Sequence, residues 1–118
     1  MKGQQFHRRL GFALAGWVEG FRGENSFRTQ VAAAALAVLA TAALRPPLVW
    51  WALVVVSIAL VLAAELFNTA LERIIDGLHP DKAEFIRQAK DCAAGAVLVF
   101  SVASVVVFCL MLLAAWRA

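Results

Sequence analysis

The chain has 118 residues, 63% of them hydrophobic and only 16% charged, with a mean hydropathy of +0.78. That length leaves no room for two ordinary domains and that apolar content excludes an ordinary soluble one, so one small membrane domain is expected. The net charge of +3 and the pI near 9.4 come without a nucleic-acid motif; basic residues beside apolar spans mark the cytoplasmic lipid surface instead.

From about residue 5 to 22, Phe6, Leu10, Ala13, Leu14, Trp17, Val18 and Phe21 recur at helical spacing, with Arg8, Arg9, Glu19 and Arg22 mostly elsewhere around the helix. The pattern predicts an amphipathic helix lying in the membrane interface. A cleaved signal peptide is set aside, because the apolar run is short and broken by Gly11 and Gly16. Gly20 and Gly23 are expected to end the helix, and Asn25 or Ser26 to cap the next one by bonding its free N–H groups. Spacing alone leaves open whether this helix is a plain anchor or one wall of a site.

Three spanning helices are predicted, over about 27–44, 48–66 and 92–116. Arg45-Pro46-Pro47 lies between the first two and reads as a tight reversal, since proline lacks the helical donor and clashes with the preceding turn. Nine of the eleven basic residues flank one side of the spans, and only Arg45 and Arg117 fall on the other. The positive-inside rule then places the N-terminus and the 65–91 segment in the cytoplasm, the arrangement expected of a multi-pass protein of the bacterial inner membrane. All eight acids, from Glu19 to Asp91, share that side. Acids take little part in setting topology, so their gathering needs another cause.

The second span runs on into Glu65-Leu66-Phe67-Asn68-Thr69-Ala70-Leu71-Glu72-Arg73-Ile74-Ile75-Asp76. At about 100° per residue, Glu65, Glu72 and Asp76 fall within roughly 20° of one line, with Asn68 about 60° to one side. Glu65 directly follows the apolar run, where an ionised carboxylate costs on the order of 2.5–3.5 kcal/mol on insertion scales. A carboxylate kept there suits a general base acting on a hydroxyl at the interface; the plain alternative is one that snorkels to water or pairs with Arg28 or Arg73. Glu72 and Asp76, with Glu24 at the mouth of the first span, supply the hard oxygen ligands that Mg²⁺ prefers, and alone each is more often a solvated residue.

After Asp76, Gly77 and Pro80 are expected to end the helix, and Asp81 with Glu84 has capping-box spacing for the next. That helix carries Arg87, Lys90 and Asp91 before it turns apolar at Cys92. Its lysine and arginine face the acidic ladder as candidate phosphate partners, or else snorkel at the interface. Cys92 and Cys109 lack paired-ligand spacing and read as packing residues, and His7 and His79 as surface and loop residues. No GxxxxGK[ST] loop, protein-kinase motif or Ser/His/Asp arrangement is present in the sequence, so ATP chemistry here needs another architecture.

Three segments then carry a resemblance: Glu24-Asn25-Ser26-Phe27-Arg28; Ala64-Glu65-Leu66-Phe67-Asn68-Thr69-Ala70-Leu71-Glu72-Arg73 to Asp76; and Ala89-Lys90-Asp91-Cys92-Ala93-Ala94-Gly95 onward. They resemble the prokaryotic diacylglycerol kinase and undecaprenol kinase family, over nearly the whole chain from Phe12 to Phe108. The resemblance implies an all-α membrane protein, with a surface helix and three transmembrane helices assembled as a homotrimeric bundle. It implies a lipid kinase that uses ATP and Mg²⁺ on a membrane lipid alcohol, diacylglycerol first and undecaprenol as the alternative. Under it Glu65 corresponds to the general base, and Glu24 and Glu72 to the metal-binding carboxylates. Phe12, Glu24, Asn68, Glu72, Asp76, Asp81, Lys82, Lys90 and Asp91 correspond to the ATP site, and Glu65, Ser26, Phe27, Arg28 and Ala94 to the lipid-substrate site. Leu14-Ala15-Gly16 departs from the aromatic-Lys-Gly run of many relatives, so a basic ATP contact there is absent or comes from Arg22 or Arg8. A non-enzymatic transporter or pore is the remote rival, and expects more polar spans than these.

Overall fold

The computed structural model describes residues 5–23, 25–78 and 83–117. Four helices follow in order, α1 (Phe6–Gly23), α2 (Asn25–Leu44), α3 (Leu48–Leu78) and α4 (Glu84–Arg117), with no strand among the described residues. The last three are each long and apolar enough to cross a membrane, the mark of an integral membrane protein. Helices suit that solvent because each satisfies its own backbone polar groups.

The reversal after α2 is as tight as the two prolines demand. Arg45 takes a left-handed conformation, with φ 51°, while its N–H still reaches the Thr41 carbonyl at 3.1 Å. A left-handed non-glycine residue costs roughly 1–2 kcal/mol, and here it lets Pro46 and Pro47 follow without a further helical turn. Inside the spans, hydroxyl groups bond back to their own helix: Thr41 Oγ1 donates to the Ala37 carbonyl and Ser57 Oγ to that of Val54.

α3 is the hub, contacting α1, α2 and α4. Between α2 and α4 lies an apolar groove of about 490 Å³ floored by α3, with Ala33, Ala37, Val61, Leu62 and Phe108 among its walls. Gln30 Nε2 crosses it to Ser101 Oγ at 3.2 Å, and Ser104 Oγ donates to the Ser57 carbonyl at 3.2 Å. The body is flat, 54 × 38 × 23 Å, and few apolar side chains are buried within it. Leu36, Leu39, Val55, Leu98 and Val99 all point outward, as expected of helices whose solvent is hydrocarbon.

Two details differ from the sequence reading. α1 ends at Gly23 as expected but runs through Gly20, which serves instead as a point of close approach. A Cβ there would stand 2.9 Å from Leu66 Cδ2 and 3.2 Å from the Phe27 ring. Phe27 is fully buried, packed edge-on against Trp17 and Phe21 with ring centroids 5.4 and 5.3 Å away, pairs worth about 0.5–1.5 kcal/mol each beyond their burial. At the start of α4 the Ala83 carbonyl takes the first helical bonds, so Glu84 is the first helical residue and not the third. It accepts from Arg87; Asp81, the other half of the expected capping box, lies outside the described residues with Pro80 and His79.

Gly20→Leu should therefore lower stability by about 1–3 kcal/mol, read as a drop in the thermal unfolding midpoint in detergent. Gly11, with nothing within 4 Å of a Cβ, is the control: Gly11→Ala should raise the midpoint slightly through helix propensity. Equal midpoints for Gly20→Leu and wild type would show that α1 is not packed on α3 in this way.

Candidate active site

Glu65 occupies the point on α3 where the apolar run ends, and only 3% of it is exposed. Its carboxylate is met from the start of α2, 39 residues away in sequence: Ser26 Oγ donates to Glu65 Oε1 at 2.8 Å. One turn on, Thr69 Oγ1 donates to the Glu65 carbonyl at 3.0 Å. Ser26 is the second residue of α2, so the positive end of that helix stands at this carboxylate and favours negative charge there.

Down the same face burial falls off: Glu65 is buried, Glu72 half-buried and Asp76 exposed. The ladder thus descends from the apolar interior to water over about 16 Å of helix. Asn68 Nδ2 donates to Glu72 Oε1 at 3.3 Å, while Asn68 Oδ1 is buried with no partner among the described residues.

Charge pairing runs opposite to what stability alone would favour. Among the described residues the four exposed acids each meet a cation: Glu19 with Arg73, Asp76 with Lys90 at 2.8 Å, Asp91 with Arg87 at 2.7 Å, and Glu84 with Arg87. Glu65 and Glu72, the two acids withdrawn from water, have no salt bridge among the described residues; Lys90 acts on Glu72 only through space. Withdrawn carboxylates are normally paired because an unpaired one is costly. An exception of this kind is the pattern of a site that receives its cation or proton donor from a ligand.

The structure brings together Ser26 with Glu65, Asn68 with Glu72, and Asp76 with Lys90. Neither Arg28 nor Arg73 pairs with Glu65. Arg28 Nη1 instead donates to the Phe21 carbonyl at 3.1 Å and Nη2 to Asn25 Oδ1. Ser26 donates its hydroxyl to Glu65 and Asn25 Oδ1 accepts from Arg28, and among the described residues no N–H of α2 is seen bonded to either side chain. Phe27 is fully buried at the α1–α2 corner. Phe12 is exposed on α1 and Ala94 on α4, and neither reaches the ladder through a described hydrogen bond. Asp91 stays with Arg87 on α4. Arg8 and Arg22, the expected substitutes for a basic residue at Ala15, are exposed and make no salt bridge among the described residues. Glu24, Asp81 and Lys82 lie outside the described residues, and among those described no three metal-ligating side chains cluster.

Two features escaped the sequence. The Glu19–Arg73 pair ties α1 to α3, and the Ser26 hydroxyl reaches Glu65; both depend on how the helices pack, and no spacing rule within one segment reports them.

A family model described as "Prokaryotic diacylglycerol kinase" matches residues 11–112. A protein from Synechocystis sp. named diacylglycerol kinase is 35% identical over 103 residues, covering 86% of this chain and 59% of the relative. The chain thus spans less than two thirds of that relative's length. A protein of the same name from Escherichia coli K12 is 28% identical over 105 residues, covering 89% of this chain and 86% of its own. An undecaprenol kinase from Bacillus subtilis is 30% identical over 109 residues, covering 92% and 89%.

If Glu72 is kept for a ligand and not for folding, Glu72→Gln should leave the thermal midpoint unchanged or raise it by the equivalent of about 1 kcal/mol. Breaking the exposed Glu19–Arg73 pair with Glu19→Gln should cost under about 1 kcal/mol. A loss above about 2 kcal/mol for Glu72→Gln would mark that carboxylate as structural.

Proposed function

The chain belongs to the prokaryotic diacylglycerol kinase family, and on that premise we propose that it moves the terminal phosphoryl group of ATP onto the hydroxyl of a membrane lipid alcohol. The observation that carries the reading is Glu65: a carboxylate 3% exposed, without a salt bridge among the described residues, holding a hydroxyl at 2.8 Å at the edge of an apolar span. A lipid alcohol keeps its chains in hydrocarbon and its hydroxyl at the surface, which would bring that hydroxyl to Glu65, a carboxylate that already accepts from the Ser26 hydroxyl. In the proposed step Glu65 takes the hydroxyl proton, the lipid oxygen bonds to the terminal phosphorus, and the bond to the bridging oxygen breaks to release ADP. Such transfers need little covalent help, so positioning and charge neutralisation supply most of the rate.

ATP comes from the aqueous end of the ladder. Among the described residues Glu72 has no bonded cation and the buried Asn68 Oδ1 no partner, a hard-oxygen set that fits a divalent cation of the Mg²⁺ type. Glu72 would hold it with Glu24, and when bound it neutralises charge on the phosphate oxygens. Lys90 and Asp76 already sit as a bonded pair beside this position, and with Asn68 and Asp91 they are the proposed nucleotide contacts.

Diacylglycerol is the proposed acceptor, with undecaprenol the alternative, since relatives bear both names. A homotrimer in the bacterial inner membrane, with the N-terminus cytoplasmic, completes the proposal. Its support is the one-sided distribution of basic residues and the outward-facing apolar flanks, which other copies or lipid would cover.

The test is ATP-dependent label transfer to each lipid in bilayers. Glu65→Gln should lower turnover by about 10²-fold or more, the usual scale of general-base catalysis, with the thermal midpoint kept. Glu72→Gln should need more Mg²⁺ for half-maximal rate. Equal background from wild type and Glu65→Gln on both lipids would end the lipid-kinase reading, and an unchanged Mg²⁺ titration would remove Glu72 from the metal site.

A further inference from the structure

We infer that Ser26 is a positioning residue for Glu65, setting which carboxylate oxygen faces the acceptor. This rests on the lipid-kinase reading and deepens it. Ser26 is the second residue of α2 and is exposed, yet its hydroxyl turns inward to α3. The bond is the one side-chain hydrogen bond made by Glu65 among the described residues. It fixes Oε1, and Oε2 accepts from no described residue. A glutamate has three side-chain torsions, and without this bond nothing else described would hold its carboxylate in one orientation.

The packing around the bond is stiff. Phe27, next to Ser26, is fully buried between Trp17 and Phe21, and Leu66, next to Glu65, meets Gly20 on α1. On the far side Thr69 clamps the Glu65 carbonyl. Donor and acceptor therefore sit on backbone segments that neighbouring contacts hold in register, as a positioned base requires. The Ser26 proton is already given to Oε1, so the oxygen left open to take a proton from the acceptor hydroxyl is Oε2.

The experiment compares Ser26→Ala, Ser26→Thr and Glu65→Gln in the full chain in bilayers, with diacylglycerol and undecaprenol as acceptors. Ser26→Ala should lower kcat about tenfold through misplacement of the base, with the lipid KM within about twofold; Ser26→Thr, which keeps the hydroxyl, should restore kcat to within about twofold of wild type. Adding Ser26→Ala to Glu65→Gln should cost nothing further, because the two act as one unit. The infrared band of the Glu65 carboxylate, found by difference from Glu65→Gln, should move in Ser26→Ala and return in Ser26→Thr. A raised lipid KM with unchanged kcat would make Ser26 a substrate contact and overturn the inference. An unmoved band with unchanged kcat would also overturn it. If wild type phosphorylates neither lipid, the lipid-kinase reading fails on its own, and the band still decides whether Ser26 orients Glu65.

Discussion

Keeping a carboxylate at the end of an apolar helix is the constraint around which the rest of this molecule is organised. Glu65 follows the apolar run of α3 and is withdrawn from water, and the protein meets the cost without a salt bridge among the described residues. The compensation comes from one hydroxyl, Ser26 on α2, and from the positive end of that helix. A neutralising arginine would be the simpler stabilising choice, and both nearby candidates are used elsewhere, Arg28 on the Phe21 carbonyl and Asn25, Arg73 on Glu19. Charges with open access to water are thus spent on tethering elements, while the withdrawn acids are kept open.

The placement of α1 follows from the same constraint. Bringing Ser26 against Glu65 requires the α1–α2 corner to press on α3, and this takes a residue with no side chain at Gly20 and a ring, Phe27, filling the space beneath it. The Glu19–Arg73 pair closes the outer edge. The surface helix accordingly packs as a wall beside the carboxylate as well as lying on the membrane. Elsewhere the helices bury little of one another, and the groove between α2 and α4 leaves their apolar flanks to lipid or to other copies.

Much of this was legible in the sequence, because each rule involved acts within a single segment. Helical periodicity placed the amphipathic α1, the two prolines placed the reversal, and the spacing of Glu65, Glu72 and Asp76 placed three acids on one face. The gradient of burial along that face was also readable, since the apolar run stops at Ala64. Contacts between segments were not. Nothing in Gly20 distinguishes a helix end from a point of close approach until Leu66 and Phe27 are seen beside it. Asn25 and Ser26 each have the chemistry of a cap, and only the arrival of α3 shows that the Ser26 hydroxyl goes to Glu65. Lys90 was expected either to face phosphate or to snorkel, and it stands paired with Asp76, poised at the ladder's wet end.

The central claim is that Glu65 lies where a lipid hydroxyl arrives from the hydrocarbon side, and modification by a lipid-soluble carbodiimide tests it most directly. The reagent converts a carboxyl it can reach from the membrane into an N-acylurea, located by mass spectrometry of the peptides. The account predicts modification at Glu65 that an added lipid alcohol suppresses and a lipid lacking the hydroxyl does not. Absence of modification at Glu65, or equal modification with and without the alcohol, would contradict it.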